Sequence, residues 1–494
     1  MSRIRKKDLL EIVKQLQDVN EQIDKKGSLI DGLDLAECQE LAAKLGEFIE
    51  NKYSGEDLVE SVNTIIHGLE DYCEFIYRMS LAENLSDVNK LHKLSKKIRL
   101  TLVNVSNALK NDLPSDRKQV VFLPYKASMW DSLESIWMEA HKDPEVDDFV
   151  IPIPYFDRNP DGTFAEMHYE GDQYPDYVPI TDWQKYSIPD EKPDVIFIHN
   201  PYDDCNFVTS VHPAFYSKEL REWTDCLVYV PYFIMDGKSI GREFVENPGI
   251  INSDYVVCQT EQEKLFYKKY LTRWLPEHLI EEKLLALGSP KFDKIKNLSS
   301  EIVKIPNSWR FTIEEKNPEL IVLYNNSVGA LLRQDVDKYL SKTLDIFRSC
   351  LNSNILVIWR PHPLMKSTLQ SMRQGYSNTF SKLEKFFVTN GVGILDQTED
   401  MYSAIFLSDV YIGDWSSVAS IYKNSGKPVL LSDENTDRIL YSPETESEEN
   451  ISIINRLKEV INKEFYQYYL DFPIMSGEFG KDIYNTIIKK VNDL

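Results

Sequence analysis

Apolar residues in the first part of the chain recur at steps of three and four, the spacing that lines one face of a helix. Leu9, Ile12, Val13, Leu16, Val19 and Ile23 form one such stripe, and Cys38, Leu41, Leu45, Phe48 and Ile49 a second. Leu58, Val62, Ile65, Leu69, Tyr72 and Phe75 form a third, and Val88, Leu91, Leu94, Ile98 and Leu102 a fourth. Asp34 with Glu37, and Ser54 with Asp57, mark helix starts. Residues 1–112 are therefore expected to form a helical module of about four helices. It shows no chemistry of its own, and suits a protein partner or self-association.

The period changes after Asn111-Asp112-Leu113-Pro114. Short apolar runs now alternate with helical stretches: Val120–Leu123, Phe149–Ile153, Val195–Ile198, Leu227–Val230 and Tyr255–Cys258. Such alternation predicts a mainly parallel sheet covered on both faces. The Pro-, Asp- and Tyr-rich stretch at about 156–190 reads as a long excursion from that sheet. The pattern restarts with Leu320–Tyr324, Ile355–Trp359, Val392–Leu395, Val410–Gly413 and Pro428–Leu431. The fold class that follows is α/β: two Rossmann-like lobes, at 113–292 and 293–446, preceded by the α-helical module. A helical tail, 447–494, is expected after them.

Composition narrows the partners. The formal net charge is −23, which disfavours nucleic acid and broad adhesion to an anionic membrane. The basic tip Arg3-Ile4-Arg5-Lys6-Lys7 leaves room for a peripheral membrane contact. The six cysteines are scattered, without metal-ligand spacing, and several lie in strand-like runs. Reduced thiols and a cytoplasmic location, at most peripheral to the inner face of a membrane, are expected. No metal site is expected.

In open α/β sheets, ligands bind beyond the carboxyl ends of the strands, and three polar clusters lie there in the second lobe. Asn325-Asn326-Ser327 follows the first strand, with Arg333 close behind; helix capping is the plainer alternative. Arg360-Pro361-His362-Pro363 follows the next, its prolines bracing a histidine beside a guanidinium suited to phosphate oxygens. Gly413-Asp414-Trp415-Ser416-Ser417-Val418 opens a helix, where amides and hydroxyls favour an anion. Together they point to a phosphate-bearing donor.

On Arg360-Pro361-His362-Pro363 and on Leu407-Ser408-Asp409-Val410-Tyr411-Ile412-Gly413-Asp414-Trp415-Ser416-Ser417-Val418, the chain resembles the CDP-glycerol glycerophosphotransferases of teichoic-acid synthesis. Leu287-Gly288-Ser289-Pro290-Lys291-Phe292-Asp293 and Lys427-Pro428-Val429-Leu430 support this, so the resemblance covers about residues 285–440. It implies a GT-B fold and transfer of glycerol phosphate, or a related alditol phosphate, from a CDP-linked donor. The acceptor would be a hydroxyl of a cell-surface polymer or its lipid-linked precursor, with CMP released and no cofactor beyond the nucleotide-activated donor. It also implies that Arg360 and His362 engage the donor pyrophosphate, with Ser416 and Ser417 beside them.

The family's first lobe carries Trp-His-Gly after a strand, its histidine thought to be the base. The comparable stretch here, Tyr229-Val230-Pro231-Tyr232-Phe233-Ile234-Met235-Asp236-Gly237, has no histidine. His199, directly after a strand, and Asp236, the positional substitute, are the candidate catalytic residues. His212 is a weaker third, and Lys126 and Ser128 could hold an anionic acceptor. Two other classes stay open. One is a GT-B glycosyltransferase or UDP-sugar epimerase, with Glu399 or Asp400 on the ribose; the other is a non-catalytic relative acting through its helices.

Overall fold

The computed structural model describes residues 3–26, 35–81, 88–159, 161–234, 241–299, 303–398, 400–414, 416–432, 439–441, 452, 455–457, 465–467 and 477–493. The chain divides into two compact units, Met1–Arg117 with Pro189–Glu191, and Lys118–Ile188 with Lys192–Leu494. Among the described residues, the first unit holds four α-helices: α1 (Lys6–Lys26), α2 (Leu35–Lys52), α3 (Val59–Ser80) and α4 (Val88–Asn111). α4 lies between α1 and α3, and α2 packs on α3. The predicted stripes meet in one core, with Val13, Ile49, Ile65, Tyr72, Ile98 and Leu102 all buried. One polar pair sits inside it: Ser95 Oγ donates to Asn20 Oδ1 at 2.9 Å, and Asn20 Nδ2 to the Ser95 carbonyl at 3.0 Å. A satisfied buried pair of this kind fixes the register of two helices that apolar contacts alone would let slide.

The second unit contains both lobes. The first lobe is a six-stranded parallel sheet in the order β2-β1-β5-β7-β8-β9. Its strands are β1 (Lys118–Leu123), β2 (Val146–Val150), β5 (Val195–Ile198), β7 (Cys226–Tyr229), β8 (Tyr255–Cys258) and β9 (Leu284–Ala286). The predicted excursion supplies a small antiparallel sheet in the order β4-β3-β6: β3 (Tyr155–Arg158), β4 (Phe164–His168) and β6 (Thr209–Val211). The second lobe has the order β12-β11-β10-β13-β14-β15-β16. Its strands are β10 (Leu320–Asn326), β11 (Ile355–Pro361), β12 (Gly393–Leu395), β13 (Val410–Gly413), β14 (Val429–Ser432), β15 (Ile439–Tyr441) and β16 (Phe465–Gln467). β14 and β15 pair antiparallel and the others parallel. Two parallel-sheet lobes make this the two-lobed α/β arrangement of the GT-B type. Among the described residues, no helix is long and apolar enough to cross a membrane.

Alternation along the strands sorts the second lobe's cores. Val322, Tyr324, Val357, Trp359, Val410 and Ile412 face one core, while Leu323, Leu356, Ile358 and Tyr411 face the other. The stretch after residue 447, expected to be helical, contributes β16 to the sheet edge. It also forms the helix Phe479–Asn492, whose Ile483, Tyr484 and Ile487 are buried among first-lobe residues such as Val120, Trp137 and Val228.

Candidate functional site

Strand order decides which clusters can meet. The chain goes from β10 to β11 on one side and later returns to β13 on the other, so the carboxyl ends of β10 and β13 flank the topological switch point. Asn325 pairs with Arg360 on one side and with Gly413 on the other, so all three predicted clusters begin at one level of one sheet edge.

Side-chain alternation then sends them apart. Asn326 shares its face with Tyr324: its Oδ1 accepts from Trp359 Nε1 at 2.7 Å, and its Nδ2 donates to Tyr339 Oη at 2.9 Å. Tyr339 in turn donates to Asp414 Oδ2 at 2.5 Å, which also accepts the Ser327 amide at 2.7 Å. Burial is the main force raising the Asp414 pKa, against these hydrogen bonds. Asn325 faces the other way. Its Nδ2 donates to the Arg360 carbonyl at 2.8 Å, and its Oδ1 accepts from Tyr411 Oη and Ser416 Oγ, both at 3.2 Å. Gly413 makes the closure sterically feasible, since a Cβ there would lie 2.2 Å from the Asn325 carbonyl oxygen.

The expectation that these groups line an anion site is therefore corrected for Asn325, Asn326, Ser327 and Asp414. All four are buried, and their polar atoms tie the β10 and β13 loops together. Ser327 caps the helix Val328–Arg333 through the Ala330 amide at 3.0 Å. Arg333, at the end of that helix, is exposed. A Cβ on Gly329 would lie 3.2 Å from its Nη1, so its guanidinium folds back toward the helix start. Ser416 caps the helix Ser417–Lys423, accepting the Ala419 amide at 3.4 Å, and Ser417 is exposed as its first residue. Trp415 lies outside the described residues.

Arg360 and His362 do share a cavity. Arg360 continues the Leu356–Ile358 face, and its Nη1 bonds Asp396 Oδ2 at 2.6 Å, with Thr398 Oγ1 at 3.4 Å and the Asp400 carbonyl at 3.5 Å. Asp396 also accepts the Thr398 amide at 2.9 Å and its hydroxyl at 2.7 Å, so the guanidinium rests against a hydrogen-bonded Asp396–Thr398 turn. His362 donates its backbone amide to the Asn326 carbonyl at 2.9 Å. Its Nδ1 accepts the Leu364 amide at 3.1 Å, which places the neutral ring's proton on Nε2. Burial, and then the positive charge of Arg360, lower its pKa and favour that neutral form. Arg360, His362, Asp396, Gln397 and Thr398 line a cavity of about 240 Å³.

In the first lobe, His199 is corrected. The ring is wholly buried, its Nε2 accepting the Tyr125 amide at 2.9 Å and its Nδ1 lying 2.9 Å from Ser132 Oγ. Burial drives its pKa down to about 3. It is a neutral histidine with both ring nitrogens engaged inside the first lobe. Asp236 lies outside the described residues. His212 caps a short turn, its Nδ1 accepting the Ala214 amide at 3.2 Å. Lys126 Nζ sits 4.9 Å from the Tyr155 ring centroid, and Ser128 is exposed. Glu399 is outside the described residues, and Asp400 spends Oδ1 on the Tyr402 amide at 2.7 Å. Among the described residues, no group of three or more His, Cys, Asp or Glu could hold a metal ion.

Sequence reading missed Asp396 and Thr398, although they directly follow β12 and obey the same strand-end rule as the clusters that were found.

Among solved structures, the Staphylococcus aureus MnaA–UDP complex is similar at 11% identity and a TM-score of 0.41, over 76% of this chain and 98% of that one. A UDP-N-acetylglucosamine 2-epimerase from Listeria monocytogenes, itself named only provisionally, is similar at 12% identity and a TM-score of 0.45, over 76% and 98%. The wall teichoic acid polymerase TagF, in a variant soaked with CDPG, is similar at 15% identity and a TM-score of 0.42, over 76% and 90%. No curated protein sequence matches. Residues 243–444 match the CDP-Glycerol:Poly(glycerophosphate) glycerophosphotransferase family, and that match takes in both segments on which the resemblance was read.

Proposed function

We propose that the protein transfers glycerol phosphate, or a related alditol phosphate, from a CDP-linked donor to a hydroxyl of a polymer or lipid-linked acceptor. The observation that carries this reading is the Arg360–His362 cavity at the carboxyl edge of the second lobe's sheet, inside the family-matched stretch. Asp396 holds the Arg360 guanidinium in one orientation, and the Leu364 amide holds the His362 ring with Nε2–H as donor. Two oriented donors suit the oxygens of a diphosphate, where charge grows as the leaving group departs.

In the reaction, the acceptor oxygen attacks the glycerol-side phosphorus. The bond from that phosphorus to the bridging oxygen breaks, CMP leaves with the electron pair, and the acceptor proton passes to a base. With His199 enclosed, Asp236 and, as the weaker choice, His212 are the candidates for that base.

The test is CMP release from CDP-glycerol with a lipid-linked acceptor, alongside titration with CDP. His362→Ala should lower turnover by about 10²–10³-fold, the range for losing one oriented donor. Arg360→Lys, which replaces a planar fork by a point charge, should weaken CDP binding. UDP release from a UDP-sugar, with no CMP from any CDP-linked donor, would eliminate the proposal.

A further inference from the structure

The junction between the lobes carries a charged cluster that the donor site does not use. The helix Pro290–Lys296 presents Lys291, Asp293 and Lys294, and each meets a residue from the stretch after β1. Lys291 Nζ lies 2.6 Å from both carboxylate oxygens of Asp131. Ser135 Oγ donates to Asp293 Oδ2 at 2.8 Å, and Lys294 Nζ to Glu134 Oε2 at 2.6 Å. The Asp131–Lys291 side chains are each 7% exposed, so the pair is sealed from water. Three contacts of matched polarity fasten this helix to the first lobe.

The second lobe reaches the cluster through Tyr402. Its hydroxyl donates to Asp131 Oδ2, and Lys294 Nζ stands 5.9 Å from its ring centroid. Tyr402 is also anchored to the donor cavity. Asp400 accepts its amide, the Asp400 carbonyl lies 3.5 Å from Arg360 Nη1, and Arg360 lines the cavity.

We infer that Tyr402 is a positioning residue, its hydroxyl joining the turn that holds Arg360 to the Asp131–Lys291 pair and so fixing the donor cavity against the first lobe. The division of labour follows from electrostatics. Breaking the Asp131–Lys291 pair would strand a buried charge, which is strongly opposed. Losing the phenol bond leaves Asp131 still paired with Lys291. The hydroxyl is therefore the contact that can open while the rest stays intact.

The catalytic consequence rests on the transferase reading; the geometric one does not. Tyr402→Phe keeps the ring and removes the bond. Hydrogen exchange on the full chain would follow the amides of Ala127, Met129 and Leu133, each hydrogen-bonded in the folded state. Their exchange should rise at least tenfold in the variant, with the exchange of β10 and β11 unchanged. The kcat for CMP release should fall at least tenfold while the Kd for CDP stays within twofold. Equal exchange at those amides in wild type and variant would overturn the inference, as would a variant with full kcat. If the wild type releases no CMP, the transferase reading fails, and the exchange comparison alone still decides the role of Tyr402.

Discussion

At the residue scale, two buried groups of the first lobe, His199 and Glu263, work against each other. His199 has its pKa lowered to about 3 by burial, from an ordinary 6.5. It thus favours the folded state above pH 6.5, and that advantage is lost as pH falls toward 3. Glu263 sits at the start of a helix, its Oε2 accepting the Gln259 amide at 2.5 Å while Thr260, the N-cap, accepts the Glu263 amide on Oγ1 at 3.0 Å. Burial raises its pKa from 4.5 to about 8, so its contribution is full below pH 4.5 and is lost as pH rises to 8. Each slope is about 1.4 kcal/mol per pH unit while the group titrates in one state only. Between pH 4.5 and 6.5 the two nearly cancel. Urea unfolding should therefore show a flatter wild-type profile there than in either variant. Stability should fall with rising pH in His199→Gln and climb with rising pH in Glu263→Gln. Parallel profiles for all three proteins would refute the assignment. The sequence placed His199 correctly at a strand end, but a strand end has an inner and an outer side. Only the loops around Tyr125 and Ser132 show that this ring is on the inner one.

At the element scale, the β10–β13 switch point shows what alternation can tell and what it cannot. The apolar runs gave both strands, and their polar ends gave the sheet edge. Alternation also separates Asn325 from Asn326, since consecutive strand residues face opposite sides. It does not supply partners: Tyr339 lies on a helix, and its bond to Asp414 depends on how that helix lies across the sheet. Arg360 likewise finds Asp396 because β12 happens to neighbour β11. The Tyr339 hydroxyl links Asn326 to Asp414 inside the protein, so Tyr339→Phe should leave both short of a partner. A loss of about 1–3 kcal/mol is expected from denaturant unfolding. Gly413→Ala should cost more, because the new methyl meets the Asn325 backbone and cannot be relieved by a side-chain rotation. A Gly413→Ala protein as stable as wild type would mean that the two strand ends are not held this closely.

At the scale of the whole molecule, the chain's last described helix belongs structurally to its first lobe. The apolar positions Ile483, Tyr484 and Ile487 were legible as a helical stripe, but nothing in their spacing says which core they fill. The turn at Phe479 settles it: Asp293 accepts the Phe479 amide at 3.0 Å and the Gly480 amide at 2.7 Å, steering the helix onto Glu134–Lys142. Gly288 belongs to the same junction, with φ of +88° and no room for a Cβ beside the Phe479 ring. The first lobe's core is thus completed by residues far from it in sequence, beyond the whole second lobe. Ile483→Asp places a carboxylate among Val120, Trp137 and Val228, and should destabilise by about 3–5 kcal/mol through lost burial and an unpaired charge. The effect should be local to one lobe. Hydrogen exchange should accelerate in β1 and β5, while β10 and β11 keep the protection of their own core. Uniform acceleration in both sheets would instead show that the lobes unfold as one cooperative block, with the helix Phe479–Asn492 bracing each equally.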